Sequence, residues 1–211
     1  MRTLPFALLT TTLAVATLLA MPAAHAKSNA LERTQALVDT FKTVKDAAEG
    51  ATLSAAERTA NEAAFKKLDD FFDYATLTSE PFAPHKAKIN EAQRAKVQPM
   101  FQELIRLVAY PKSGAFLKRA KLGLSAGKQA GDTADVAMSA AVAAEDFQTT
   151  VVFRWQDKGG TYRIVDVSFD GASLVKDYKN QFGRIIEKDG ADGLIKKMST
   201  RLEQERKKQS A

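Results

Sequence analysis

The sequence predicts an α+β fold, and three observations carry that reading. Apolar residues recur at helical spacing from residue 29 to about 110, change to a period near two over 116–170, and return to helical spacing afterwards. Helices come before and after a block of strands, with no βαβ alternation. Turn signals divide the middle block into short runs, as in an antiparallel meander.

The chain opens on a segment that reads as a secretory leader. Arg2 supplies a short positive start, Leu4 to Met21 is mostly apolar, Pro22 breaks the run, and Ala24-His25-Ala26 forms an A-x-A cleavage site. The competing reading is a membrane anchor. Thr10, Thr11, Thr12 and Thr17 interrupt the apolar run, which is marginal for a bilayer span. Lys27 stands where a lipoprotein would need cysteine. Residues 1–26 are therefore expected to be removed as a signal peptide, leaving 27–211 as a single exported domain.

The helical part is expected over 29–110. Asn29 with Glu32 resembles a capping box, and Leu31, Thr34, Leu37, Val38, Phe41, Val44 and Ala48 follow helical spacing to a stop at Gly50. Ser54 with Glu57 opens a second helix carrying Phe65, Leu68, Phe71 and Phe72 on one face. Thr78 to Lys88 holds Pro81 and Pro84 and reads as a loop. Asn90 with Gln93 repeats the cap signal, and Val97, Phe101, Leu104 and Val108 make the next stripe. Pro99 should kink or restart this helix, and Tyr110-Pro111 should end it.

The sheet is expected over 116–170. Lys121 to Ser125 reads as one strand, with a turn over Gly127 to Asp132. Val136, Met138, Ala140 and Val142 alternate on the second strand; Phe147, Thr149, Val151, Phe153 and Trp155 alternate on the third. Gly159-Gly160 signals a hairpin to a fourth strand, Tyr162 to Phe169. Two helices over 172–208 finish the chain. Ser173 caps the first, Asp189-Gly190 breaks it from the second, and the charged tail from Arg201 to Lys208 frays.

Composition excludes most catalytic classes. The 211 residues include no cysteine, so there is no thiolate zinc site and no cysteine nucleophile. Of two histidines, His25 lies in the leader, leaving His85 alone. Histidine metal clusters and Ser-His triads are thereby nearly excluded. The formal net charge is +6, with Arg2 the leader's share. An exported basic protein meets lipid headgroups, membrane surfaces or acidic protein faces rather than nucleic acid. His85, between Pro84 and Lys86, reads as an exposed loop histidine without a partner. Asp69, Asp70 and Asp73 read as helix-surface charge beside a core stripe. Asp166 stands out, because strands disfavour aspartate; it is expected to hydrogen-bond a neighbouring loop or to line a site, the structural role being favoured. No residue is assigned a catalytic role and no metal site is expected.

The segment Tyr162-Arg163-Ile164-Val165-Asp166-Val167, followed by Gly171-Ala172-Ser173-Leu174-Val175 and Tyr178-Lys179-Asn180-Gln181-Phe182, resembles the signature of the MlaC family of periplasmic phospholipid-binding proteins, also called toluene-tolerance auxiliary proteins. Asp189-Gly190-Ala191-Asp192-Gly193-Leu194-Ile195 resembles the family's G-x-x-G-L-I ending. Phe72-Asp73-Tyr74, Gln93-Arg94 and Phe101 through Tyr110 match more weakly. After Phe72-Asp73 the chain departs from the family, with Thr78-Ser79-Glu80-Pro81-Phe82-Ala83-Pro84-His85 where a Gly and a Trp are common.

The resemblance implies a twisted, NTF2-like antiparallel sheet under a helical layer that encloses an apolar lipid cavity. It implies a phospholipid carrier in the periplasm. Its partners would be an outer-membrane lipoprotein complex and an inner-membrane ABC transporter complex with a substrate-binding MCE-type subunit. No cofactor is implied beyond phospholipid as cargo. Val136, Met138, Ala140, Val151 and Phe153 are expected to line the cavity from the sheet, with Phe72, Phe101, Leu104 and Val108 as the opposite wall. Lys176, Lys179 and Arg184 are expected to meet headgroups or partner faces. The readings from other classes are a periplasmic adaptor or chaperone with a filled core, and a hydrolase on an NTF2-like sheet.

Overall fold

The computed structural model describes residues 29–47 and 51–210. The signal-peptide reading of 1–26 lies outside them. Helix α1 (Ala30–Thr43) starts where Asn29 Oδ1 accepts from Leu31 N–H at 2.8 Å. Helix α2 (Ala55–Asp69) opens on the expected box, Ser54 and Glu57 each capping the other's backbone. Such caps satisfy amide groups that the first helical turn leaves without partners.

Helix α2 stops at Asp69, so Phe71 and Phe72 are not on it, contrary to the periodicity reading. They leave the helix to pair with the sheet. Ile164 N–H donates to Phe71 O at 2.7 Å, and Asp73 N–H donates to Ile164 O at 2.9 Å. Asp73 then accepts from Thr76 N–H at 3.0 Å, opening the short helix α3 (Tyr74–Ser79). A 3-10 turn follows over Glu80–His85. The expected loop is thus helical, because Pro81 stands at its first turn, where no amide partner is required.

Helix α4 (Glu91–Leu104) has the Asn90–Gln93 box and runs through Pro99 without restarting. It does not end at Tyr110-Pro111. A π-helical turn over Ile105–Ala109 joins it to α5 (Tyr110–Arg119). Pro111 lacks the amide that an uninterrupted α ladder needs, and the widened turn sits just before it. Helical structure therefore reaches Arg119 rather than 110. Phe116 is helical, and the sheet begins at Lys121.

The sheet is antiparallel, in the order β1 (Lys121–Ala130), β2 (Thr133–Val142), β3 (Phe147–Asp157), β4 (Tyr162–Phe169) and β5 (Ala172–Ser173). This is the predicted meander plus a two-residue fifth strand. β1 continues through the expected turn to Ala130, with an irregular register between Ala126 and Gln129. The reversal falls on Gly131, whose φ of +58° suits glycine. Helix α6 (Leu174–Ser210) is divided at Gly190, φ 71° and ψ 176°, as Asp189-Gly190 predicted.

Two apolar clusters result. The first joins the sheet to α1, α2 and α5 through Leu37, Val38, Phe41, Leu68, Tyr110 and Leu117. The second joins α4 and the 3-10 turn to α6 through Phe82, Val97, Phe101, Phe182, Leu194 and Met198. Ile105 packs against the margins of both.

Candidate functional site

Strand register puts the sheet residues named from sequence on one face. Val136 stands opposite Phe153, Met138 opposite Val151 and Ala140 opposite Thr149. Cross-strand partners share a face. All five are buried, and Val136, Met138, Val151 and Phe153 belong to the first cluster, where Phe72 packs at the margin.

Phe101 and Leu104 go elsewhere. Phe101 is buried in the second cluster, edge-on to Tyr178 and Phe182 at 4.6 and 5.1 Å, and Leu104 packs beside it. Val108 is half-buried in the π turn. The structure therefore does not bring Phe101 and Leu104 opposite the sheet residues. The π turn is the reason. Each such turn holds an extra residue and rotates the helix beyond it. The stripe of Val97 and Phe101 faces α6, whereas Tyr110, Gly114 and Leu117 beyond the turn are buried on the α1 side.

A polar chain crosses the aromatic centre of the first cluster. The Tyr110 hydroxyl donates to Asp69 Oδ1 at 3.0 Å and bonds the Tyr74 hydroxyl. Asp69 pairs with Arg106 of the π turn at 3.4 Å. Phe41, Phe65 and Phe72 surround the Tyr110 ring. Burial pushes both tyrosine hydroxyls well above their ordinary range, so they stay protonated and act as hydrogen-bonding groups, not bases. The network ties the end of α2 to α3 and α5. Asp69 is thus more than surface charge. Asp70 lends its carbonyl to Arg33 and Arg163.

The other acidic candidates are structural. Asp166 accepts from Ser173 Oγ at 2.6 Å, from Val167 N–H at 2.8 Å and from Val175 N–H at 3.3 Å. Ser173 Oγ accepts in turn from Lys176 N–H at 3.1 Å. The strand aspartate thus holds the start of α6, as its odd position suggested. Burial raises the Asp73 carboxyl, but its bonds from Thr76 and the Lys158 ammonium at 3.1 Å outweigh that and hold it below the ordinary carboxylate range. His85 corrects the sequence reading: it is half-buried, and its ring fills the space beside Gly183, where a Cβ would lie 2.7 Å from Nε2. Among the described residues, no group of three or more His, Asp or Glu side chains is placed to hold a metal ion. Lys176, Lys179 and Arg184 are exposed on α6.

Sequence reasoning missed an open groove of about 970 Å³, walled by α2, the segment after α1, the end of α4 with the π turn, α5, and the end of α6. Its floor includes Leu53, Phe65 and Leu107, and its rim includes Lys45, Lys66 and Lys112. The residues come from five separate stretches, and no local spacing marks them.

The MlaC protein family model matches residues 29–200. No curated protein matches the sequence. Among solved structures, the phospholipid-binding protein of Ralstonia solanacearum, determined in complex with a phospholipid, is similar in fold. The TM-score is 0.61 at 18% identity, covering 85% of this chain and 99% of that one.

Proposed function

Because the chain belongs to the MlaC protein family, we propose that it is a phospholipid carrier and not an enzyme. The observation that carries this reading is family membership over most of the chain, joined to a fold shared with a protein that holds a phospholipid. After export and loss of residues 1–26, the carrier works in the periplasm. It moves lipid between an outer-membrane lipoprotein complex and an inner-membrane ABC transporter complex with an MCE-type subunit.

The physics of such a carrier is exchange. Two acyl chains hold on the order of 30 carbons, each stabilised by about 0.8 kcal/mol when buried. Crossing water unprotected is prohibitive, yet the bilayer supplies the same burial. A carrier therefore needs to match the membrane and to shield the chains, for which no catalytic group or cofactor is required. The chains lodge on the sheet face at Val136, Met138, Ala140, Val151 and Phe153, beside Phe72. Phe101, Leu104 and Val108 border the space from α4 and the π turn. Since Val136, Met138, Val151 and Phe153 pack in one cluster with Phe72 at its margin, Phe101 and Leu104 pack in the other, and the two meet at Ile105, loading parts the clusters. Lys176, Lys179 and Arg184 dock on anionic headgroups or acidic partner faces, an attraction that salt weakens.

The filled sheet-face cluster favours a second reading, an adaptor or chaperone without a lipid ligand. One experiment separates the two. Protein purified from an exporting host is extracted with organic solvent and the extract analysed by mass spectrometry. Phospholipid in near-stoichiometric amount supports the carrier; a lipid-free extract, persisting after incubation with phospholipid vesicles, overturns it.

A further inference from the structure

The groove between α2, α4, α5 and the end of α6 joins a carbon floor to an excess of positive charge. Three of its four carboxylates are already engaged: Asp46 with Lys118, Glu103 with Arg206, and Glu205 with Arg201 and Lys208. Glu62 is exposed and has no ion pair among the described residues. Lys45, Lys66 and Lys112 are exposed at the rim and likewise make no close ion pair among the described residues, although Lys45 stands within electrostatic reach of Glu57. Arg106 is matched by Asp69, whereas among the described residues Arg58 donates to the Leu53 carbonyl and makes no ion pair. Cations thus outnumber the one uncommitted carboxylate.

The backbone at Lys45 is held in place by a buried side chain. Asn61, only 6% exposed, accepts from Lys45 N–H at 2.6 Å and donates to Lys45 O at 2.9 Å. This fixes the segment of Lys45 against α2, the helix that carries Lys66, while Lys112 comes from α5 across the groove. The floor leads inward. Phe65 lines the groove and also belongs to the first cluster, its ring edge-on to Tyr110 at 5.3 Å. Tyr110 in turn touches Phe41 and Phe72. A volume of about 970 Å³ is at the upper end of ordinary ligand pockets, enough for a headgroup and the first carbons of its chains.

We propose that this groove receives the phosphate-bearing end of an anionic lipid, with Lys45, Lys66 and Lys112 around its charge and Phe65 directing its chains toward the sheet face. This rests on the phospholipid-carrier reading and adds the headgroup class and the place where it sits. Net charge, not phosphate alone, is what the three ammonium groups select. Phosphatidylglycerol is therefore favoured over zwitterionic phosphatidylcholine.

The test uses lipids that dissolve as monomers, so that membrane docking plays no part. Dihexanoyl phosphatidylglycerol and dihexanoyl phosphatidylcholine are titrated into the delipidated protein by calorimetry, at low and high salt, with inorganic phosphate as a third titrant. The parent is expected to bind the glycerol lipid about tenfold more tightly, with the margin shrinking at high salt. K45Q/K66Q/K112Q should keep its melting temperature while losing the margin. A folded triple variant that retains the margin, or a parent without one, overturns the proposal and leaves the carrier reading standing. Inorganic phosphate binding as tightly as the glycerol lipid would make this a free-anion site, which also overturns it. Failure to bind any lipid, short-chain or in vesicles, removes the carrier reading and this inference together.

Discussion

Asp166 shows how much one misplaced residue type reveals. An aspartate inside a strand was legible as an oddity, and the sequence pointed to a loop contact. It could not say which loop, because the partners are set by the β4–β5 hairpin folding back. That hairpin brings Ser173 beside Asp166, and the pair supplies hydrogen-bond acceptors to amides at the start of α6. Losing a cap of this kind costs about 1–2 kcal/mol. Asp166→Ala and Ser173→Ala should each lower the urea midpoint with the slope unchanged. Because the two side chains bond each other, the double variant should cost less than the sum. Single variants within about 0.5 kcal/mol of the parent would mean that α6 is held by packing alone. His85 was misread for the complementary reason. Its packing depends on Gly183, nearly a hundred positions away in sequence, and a missing side chain leaves no pattern to read.

At the scale of elements, strands were more legible than helix ends. Tyr162 to Phe169 was bounded correctly because alternation and glycine turns are local signals. The end of α2 was missed because Phe71 and Phe72 continue the helical stripe, while their backbone pairs with Ile164 instead. The π turn was missed because it breaks the 3.6-residue period without breaking the helix. That turn redirects α5 onto α1, where the contact depends on Gly114. A Cβ there would stand 2.9 Å from the Phe41 carbonyl oxygen and 2.9 Å from Val44 Cβ. Alanine in place of an interior helical glycine ordinarily gains up to about 1 kcal/mol. Here the neighbours are backbone and a fully buried β-branched side chain, so overpacking of about 1–3 kcal/mol should win. Gly114→Ala is expected to lower thermal stability. Gly183→Ala should be nearly neutral, since the tip of the His85 ring can swing aside. A stabilised Gly114→Ala protein would show that α1 and α5 have room to separate.

At the scale of the whole molecule, the change of apolar period carried the α+β class and the β4–α6 motif the family, while the arrangement of the helices over the sheet did not follow from pattern. Helical stripes say which face is buried and not against what, so Phe101 and the sheet residues were assigned to facing walls of one cavity and fold into two clusters. Whether acyl chains reach the sheet face is therefore a question about how those clusters part, and the chain holds its own reporter. Trp155 is the only tryptophan, fully buried on the face shared by Val151 and Phe153, in the first cluster. Its indole Nε1 has no hydrogen-bond partner among the described residues. In the lipid-free protein its emission should be blue-shifted and insensitive to aqueous quenchers. Loading with phospholipid brominated along its acyl chains should quench it, because bromine acts only at close range and the chains would lie in that cluster. The unbrominated lipid should not quench. Full occupancy by mass spectrometry with undiminished Trp155 emission would mean that the chains stop at Phe65 and the groove. The sheet-face residues would then be an ordinary core, and the clusters would never need to separate.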